Sequence, residues 1–178
     1  MTEQTITLIS FGLFEKELLE QVADAVRKAF PYPVNLRDGH VDISDYFDPA
    51  RKQYDGNRLL KSVDGLATPD MVKAMGLFSV DLYIPILTFI FGQAFLGGRT
   101  GIASIYRLKN ERYGITADDK LLAQRFRKEV IHELGHTFGL IHCHVPTCVM
   151  RSSTYVEDID QKEEWLCHQC RGKLADGM

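Results

Sequence analysis

The run HELGHTFGLIH, residues 132–142, constrains this 178-residue chain more than any other stretch. His132 and His136 are four residues apart, so on an α-helix they lie about 40° apart around the axis and both imidazoles can reach one ion. Glu133 sits one residue on, too far around the helix to be an easy third ligand. It is placed to lean over a metal-bound water and take its proton. Gly139 suits the left-handed residue that ends such a helix, and its turn lets His142 approach the same ion from outside. Three neutral histidines leave a tetrahedral zinc one open position, the arrangement of a catalytic rather than a closed structural site. Two histidines four apart can also arise on any half-buried helix. The glycine and the third histidine at fixed spacing set this run apart.

The motif closes a longer helical pattern. Leu122, Phe126, Val130, Leu134 and Phe138 recur as one apolar stripe, and Thr116 followed by Asp119 resembles a helix-start capping arrangement. Arg125, Arg127 and Lys128 read as a solvated face of that helix. Upstream, Thr5 to Ile9 alternates as a first strand. Leu18, Leu19, Val22, Val26 and Phe30 then mark a helix that Pro31 stops. Short extended segments are expected around Asp38-Gly39 and a helix somewhere in residues 47–63, with a further helical turn in LATPDMVKAMG starting at Pro69. A central strand is expected near 78–86, an edge strand or loop near 88–97, and another strand near 100–108. After the motif come a loop to Met150 and a short helix around EDIDQKEEWL.

Length and composition bound the rest. The chain suits one well-packed core and is too short for two large ones, and 45% hydrophobic with 25% charged residues matches an ordinary globular protein. A formal net charge of −3 gives no footprint for nucleic acid or an anionic membrane. MTEQTITLISFG has no basic region ahead of an apolar run, unlike a signal peptide. The most apolar window is broken by Asp81, Pro85, Gln93 and several glycines, which speaks for buried strands rather than a membrane span. A cytoplasmic location is therefore expected.

The four cysteines form two close pairs, Cys143 with Cys148 and Cys167 with Cys170, both at spacings that suit a closed four-thiolate zinc site of structural role. An iron–sulfur centre, a redox disulfide and cysteines without a shared ligand are competing uses. His144 and His168 are possible replacement ligands. In an extended segment neighbouring side chains point to opposite sides, so His142 and Cys143 could serve two different ions.

The motif H-E-x-x-H-x-x-G-x-x-H-C, followed by C-x-M and C-x-x-C, resembles the archaemetzincins of the metzincin clan over residues 129–170. The resemblance implies a zinc metallopeptidase. His132, His136 and His142 would bind the catalytic zinc, and Glu133 would be the general base and acid. Met150 would form a Met-turn beneath the metal, and Cys143, Cys148, Cys167 and Cys170 would bind a structural zinc. Taken alone, Met150 reads as core filler. The implied fold is an α+β, metzincin-like domain with a twisted mixed β-sheet, an active-site helix and a small zinc-stapled C-terminal part. One domain spanning residues 1–178 is expected, divided into an N-terminal subdomain (1–140) and a C-terminal subdomain (141–178). LTFIFGQAFLGG is the candidate antiparallel edge strand, where a substrate peptide could add. Tyr155 has a better claim as a packing residue than as an oxyanion contact. The expected partner is a peptide or protein substrate, with no nucleic acid or membrane, and the chain a monomer. The alternative is a zinc-stabilised peptide-binding module with peptidase geometry and little hydrolysis.

Overall fold

The computed structural model describes residues 4–178. In chain order the elements are β1 (Thr5–Ser10), α1 (Lys16–Ala29), β2 (Val34–Asp38), β3 (Phe47–Asp48), β4 (Gln53–Asp55), α2 (Gly56–Asp64), β5 (Met71–Phe78), β6 (Leu82–Tyr83), β7 (Gly92–Ala94) and β8 (Thr100–Ser104). Three helices follow: α3 (Asp119–Thr137), α4 (Val156–Gln161) and α5 (His168–Asp176).

Every residue of β1 and of β8 is buried, as strands covered on both faces require. The main sheet has the order β2-β1-β5-β8-β7. Its first four strands are parallel, and β7 runs antiparallel to β8 at the edge. Alternation along the strands sorts their side chains between two cores. Ile6, Leu8, Met75, Leu77 and Ala103 face α1 and α3, meeting Val22, Val26, Phe126, Val130 and Leu134. Ile9, Ala74, Phe78 and Ile102 face α2, meeting Leu59, Leu60 and Val63. A small sheet, β3-β4-β6, flanks this second core. The expected α+β class and its mixed sheet with an antiparallel edge are both present.

Several local expectations are corrected. The central strand occupies 71–78 rather than 78–86, and LATPDMVKAMG enters it instead of forming a helical turn. Pro69 sits in a turn closed by the Met71 N–H donating to the Thr68 carbonyl at 3.0 Å. Burial between β1 and β8 then overrides the weak strand propensity of Lys-Ala-Met-Gly. Small residues belong there, since a Cβ on Gly76 would come 2.8 Å from Val63 Cγ2. The last strand stops at Ser104, and residues 106–108 form a 3₁₀ turn. Asp118, not Thr116, caps α3, its carboxylate accepting from the Leu121 N–H at 2.9 Å.

The basic residues of α3 are no solvated face. Arg125 is buried and grips Asp160 with Nε and Nη2, both at 2.7 Å. Its Nη1 donates to the Leu108 carbonyl at 2.7 Å. Arg127 pairs with Glu164 at 2.7 Å, and Lys128 donates to the Ile159 carbonyl at 3.0 Å. These side chains fasten the C-terminal segment to the helix. At the other end of α3, Lys73 donates to the Gly98 and Thr137 carbonyls, each at 2.8 Å. Among the described residues no helix is long and apolar enough to cross a membrane.

Candidate functional site

From Glu129 to Gly135 every residue of α3 is buried, because the sheet covers one side and the segment after the motif covers the other. The helix ends on Gly139 at φ +88°, with the Gly139 N–H donating to the His136 carbonyl at 2.9 Å and the Leu140 N–H to the Gly135 carbonyl at 3.0 Å. This is the Schellman termination, which a left-handed glycine permits. It brings His142 back to the helix histidines, with ring centroids 5.3 Å from His132 and 5.0 Å from His136.

The histidines are oriented from behind. His132 Nδ1 lies 2.8 Å from the Val149 carbonyl and His136 Nδ1 2.7 Å from the Leu140 carbonyl. A carbonyl can only accept, so both Nδ1 atoms carry the proton and both Nε2 atoms present a lone pair. Those two Nε2 atoms stand 3.1 Å apart with no proton of their own between them. Two lone pairs at that distance call for a cation, and a tetrahedral zinc at about 2.0–2.1 Å from each nitrogen sets a similar separation. Burial holds all three histidines below the usual imidazole range, His132 most strongly, with Lys162 adding to the effect. They stay neutral, as ligands must. The donor set fits a metal ion.

A cleft of about 480 Å³ opens beside the triad, between α3, the edge strand β7 and the turn at Ser153–Tyr155. Glu133 lines it. Burial pushes the Glu133 carboxyl well above the usual range, and the nearby Glu129 charge pushes the same way. Gly92 of β7 makes room for it: a Cβ there would come 2.7 Å from Glu133 Cγ and 2.9 Å from its Oε1.

Met150 is fully buried directly beneath the motif. A Cβ built on Gly135 would overlap its sulfur. The Cys143 N–H donates to the Met150 carbonyl at 3.0 Å, so the segment carrying His142 is pinned to the turn at Met150. Immediately beyond, the four cysteine sulfurs gather within 4.8 Å of one another. Cys143 and Cys167 Sγ are 3.8 Å apart, too far for a disulfide and close to the edge of a tetrahedron with zinc–sulfur bonds of about 2.3 Å. Backbone N–H groups of Val145 and Cys167 point at Cys143 and Cys148 sulfurs, both at 3.4 Å. His144 and His168 are not part of this cluster. Two donor sets thus meet at the His142–Cys143 bond.

Tyr155 also lines the cleft and is 65% exposed, a surface position at the cleft rim rather than a core one. Sequence reading passed over Gly92, Gly135, Glu129 and Lys162. Glu129 stood four residues before Glu133, a spacing that signals a shared helix face. Lys162 gave no signal, since nothing local marks a lysine that becomes fully enclosed.

The model of peptidase family M54 matches residues 8–176. The archaemetzincin of Haloquadratum walsbyi is 32% identical over 172 residues, covering 95% of this chain and 98% of that one. The crystal structure of archaemetzincin from Methanopyrus kandleri superposes with a TM-score of 0.86 at 29% identity, covering 99% of this chain and 96% of the other. A zinc-dependent peptidase from Methanocorpusculum labreanum gives the same TM-score of 0.86 at 32% identity, covering 95% and 99%. With its histidine triad, its four-cysteine cluster and this likeness along nearly its whole length, the chain belongs to peptidase family M54, the family of the archaemetzincins.

Proposed function

We propose that the chain hydrolyses peptide bonds with a catalytic zinc held by His132, His136 and His142, and that Cys143, Cys148, Cys167 and Cys170 hold a second, structural zinc. One observation carries the reading: three neutral imidazoles converge beside a buried carboxylate on the wall of an open cleft. Zinc in the triad supplies Lewis acidity toward the peptide carbonyl and toward water.

Glu133 does the proton work. It takes a proton from the attacking water and delivers it to the leaving amine. The outer edge of β7 offers main-chain donors and acceptors to an extended peptide, which would then lie across the triad. Met150 supports the floor under Gly135. The cysteine cluster fixes the loop that presents His142. Residues 1–178 act as one domain in this reading, 1–140 carrying the sheet and helix and 141–178 the methionine turn and cysteines. The partner is a peptide or protein, met by a monomer in the cytoplasm.

Glu133→Ala is the test. With zinc supplied, turnover of a peptide library should fall by about 10²–10⁴-fold while the triad keeps its zinc. Unchanged cleavage in the variant would refute the role of Glu133. Peptide binding without cleavage by either protein would favour the peptide-binding module instead.

A further inference from the structure

Among the described residues, three buried side-chain polar atoms have no hydrogen-bond partner: Gln93 Oε1, Glu129 Oε1 and Ser153 Oγ. All three residues line the same cleft, the one beside the triad. The Gln93 amide is turned away from the triad, against Gly56 and Asn57 on the α2 side of the sheet. Buried polar groups are ordinarily paired, so the two remaining orphans on one cleft wall mark a surface made to meet something else. Each of the three atoms can accept a hydrogen bond, and Gln93 Oε1 and Glu129 Oε1 can only accept.

Glu129 is the charged member. It is 97% buried, with 3% of its surface exposed, and it lies one turn before Glu133 on α3, about 6 Å further along the axis. Its single charged neighbour among the ion pairs is Lys162, whose Nζ stands 3.5 Å from Oε1 and makes no hydrogen bond to it. Lys162 reaches it from the core side. That side chain is fully enclosed, donates to the Arg151 carbonyl at 3.1 Å and does not line the cleft. On the cleft side no lysine or arginine lines the wall. The carboxylate is therefore backed by a lysine, and its residue lines the cleft wall. Phe91 and Tyr155 line the same cavity and offer an apolar wall to the stem of a long side chain.

We propose that Glu129 is the specificity-determining carboxylate of this peptidase, accepting hydrogen bonds from an ammonium or guanidinium group of the substrate next to the scissile bond. The assignment rests on the peptidase reading above. Its chemistry is that of a lysine or arginine side chain flanking the cleaved bond, or of a free α-amine, and Ser153 takes a remaining N–H donor. A ligand that brings donors can satisfy Glu129 Oε1 and Ser153 Oγ, whereas an apolar side chain leaves them unpaired.

The test compares blocked peptides that are identical except for lysine or norleucine at each position flanking the scissile bond. A second pair compares free and acetylated N-termini on neutral peptides. Glu129→Gln alone leaves the Lys162 charge uncompensated, so the variant used is Glu129→Gln with Lys162→Met, which keeps the pair neutral. The wild type should favour one cationic member by at least about tenfold in kcat/KM, as expected for hydrogen bonds to a charged group. In the double variant that ratio should fall to within about threefold of unity, whatever the change in overall rate. The pair that responds identifies the source of the cation. A ratio near unity in the wild type, or an equal ratio in both proteins, would overturn the proposal and leave Glu129 as the counter-charge of Lys162. The same ratios read as Kd in a Glu133→Ala background need no turnover, so a failure of hydrolysis is told apart from a failure of this assignment.

Discussion

Gly135 and Met150 should be energetically coupled, and the sign of one substitution should depend on the other. A Cβ at Gly135 would overlap Met150 Sδ and come 3.1 Å from its Cε and 3.6 Å from Leu140 Cδ1. Met150 is fully buried, so it has little room to retreat. In the wild type, Gly135→Ala gains up to about 1 kcal/mol of helix propensity but suffers about 1–3 kcal/mol of overpacking. The net effect is a loss of up to about 2 kcal/mol. Met150→Ala by itself should cost about 2–5 kcal/mol as a buried large-to-small change. In that background the overlap is gone and the new methyl fills part of the cavity, so Gly135→Ala should stabilise, by about 1 kcal/mol. The coupling energy is then about 1–3 kcal/mol, the whole of the overpacking contribution. Urea unfolding of the four proteins at one fixed free zinc concentration measures it, with m-values compared to confirm that the same surface unfolds. Additivity to within about 0.5 kcal/mol would refute the contact, as would stabilisation by Gly135→Ala in the wild type.

Cys143→Ser should weaken zinc at the histidine triad as well as at the cysteines, by about 10–100-fold at the triad, because the Cys143 sulfur belongs to the cluster that fixes the loop presenting His142. Chelator competition that shows an untouched triad would sink this coupling. Because burial holds the three histidines below the usual imidazole range, protons should not compete for them until the pH falls below about 6.5. Triad affinity should thus be insensitive to histidine titration from pH 8 to 6.5 and decline in more acid solution, and a decline already complete by pH 7 would contradict it. Arg125→Met should destabilise by about 1.5–3 kcal/mol, since it strips the bidentate partner from Asp160 and a donor from the Leu108 carbonyl. A change below about 0.5 kcal/mol in urea unfolding would show the clamp to be idle. Gly92→Ala should lower kcat by about 10²-fold with zinc retained, because its Cβ would press on Glu133 and, at 2.6 Å, on the Ile102 carbonyl. Full activity in that variant would mean that Glu133 tolerates displacement.

The parts of the fold that could be read from sequence were those whose cause is local. His132 and His136 declare their common face by spacing, Gly139 declares a left-handed turn, and the alternation of β1 declares a strand. The cysteine pairs likewise showed their grouping before any geometry was available. What stayed hidden depends on partners distant in the chain. Residues 71–78 form the central strand because β1 and β8 enclose them, although Lys-Ala-Met-Gly favours nothing of the kind. Arg125 looks like a surface residue until Asp160, 35 residues on, is placed against it. Glu129 and Lys162 give no local hint that they are buried together, 33 residues apart, since a carboxylate and an ammonium normally stay in water.

The core behind α3 joins the first strand to the last helix: Ile6 and Leu8 share it with Val149, Leu166, Cys170 and Leu174. A ribosome therefore releases α3, with two of the three triad histidines, before its cover exists. His132 lacks the Val149 carbonyl that sets its tautomer, and the cysteine cluster lacks half its sulfurs, until the segment through Cys170 has emerged. At roughly 5–20 residues per second that interval lasts a few seconds. If the cysteines hold the proposed structural zinc, its capture and closure of the core would be one late event rather than two. Zinc scarcity during synthesis should leave open chains for proteolysis, and the cell would hold less of this protein instead of a dormant stock awaiting metal.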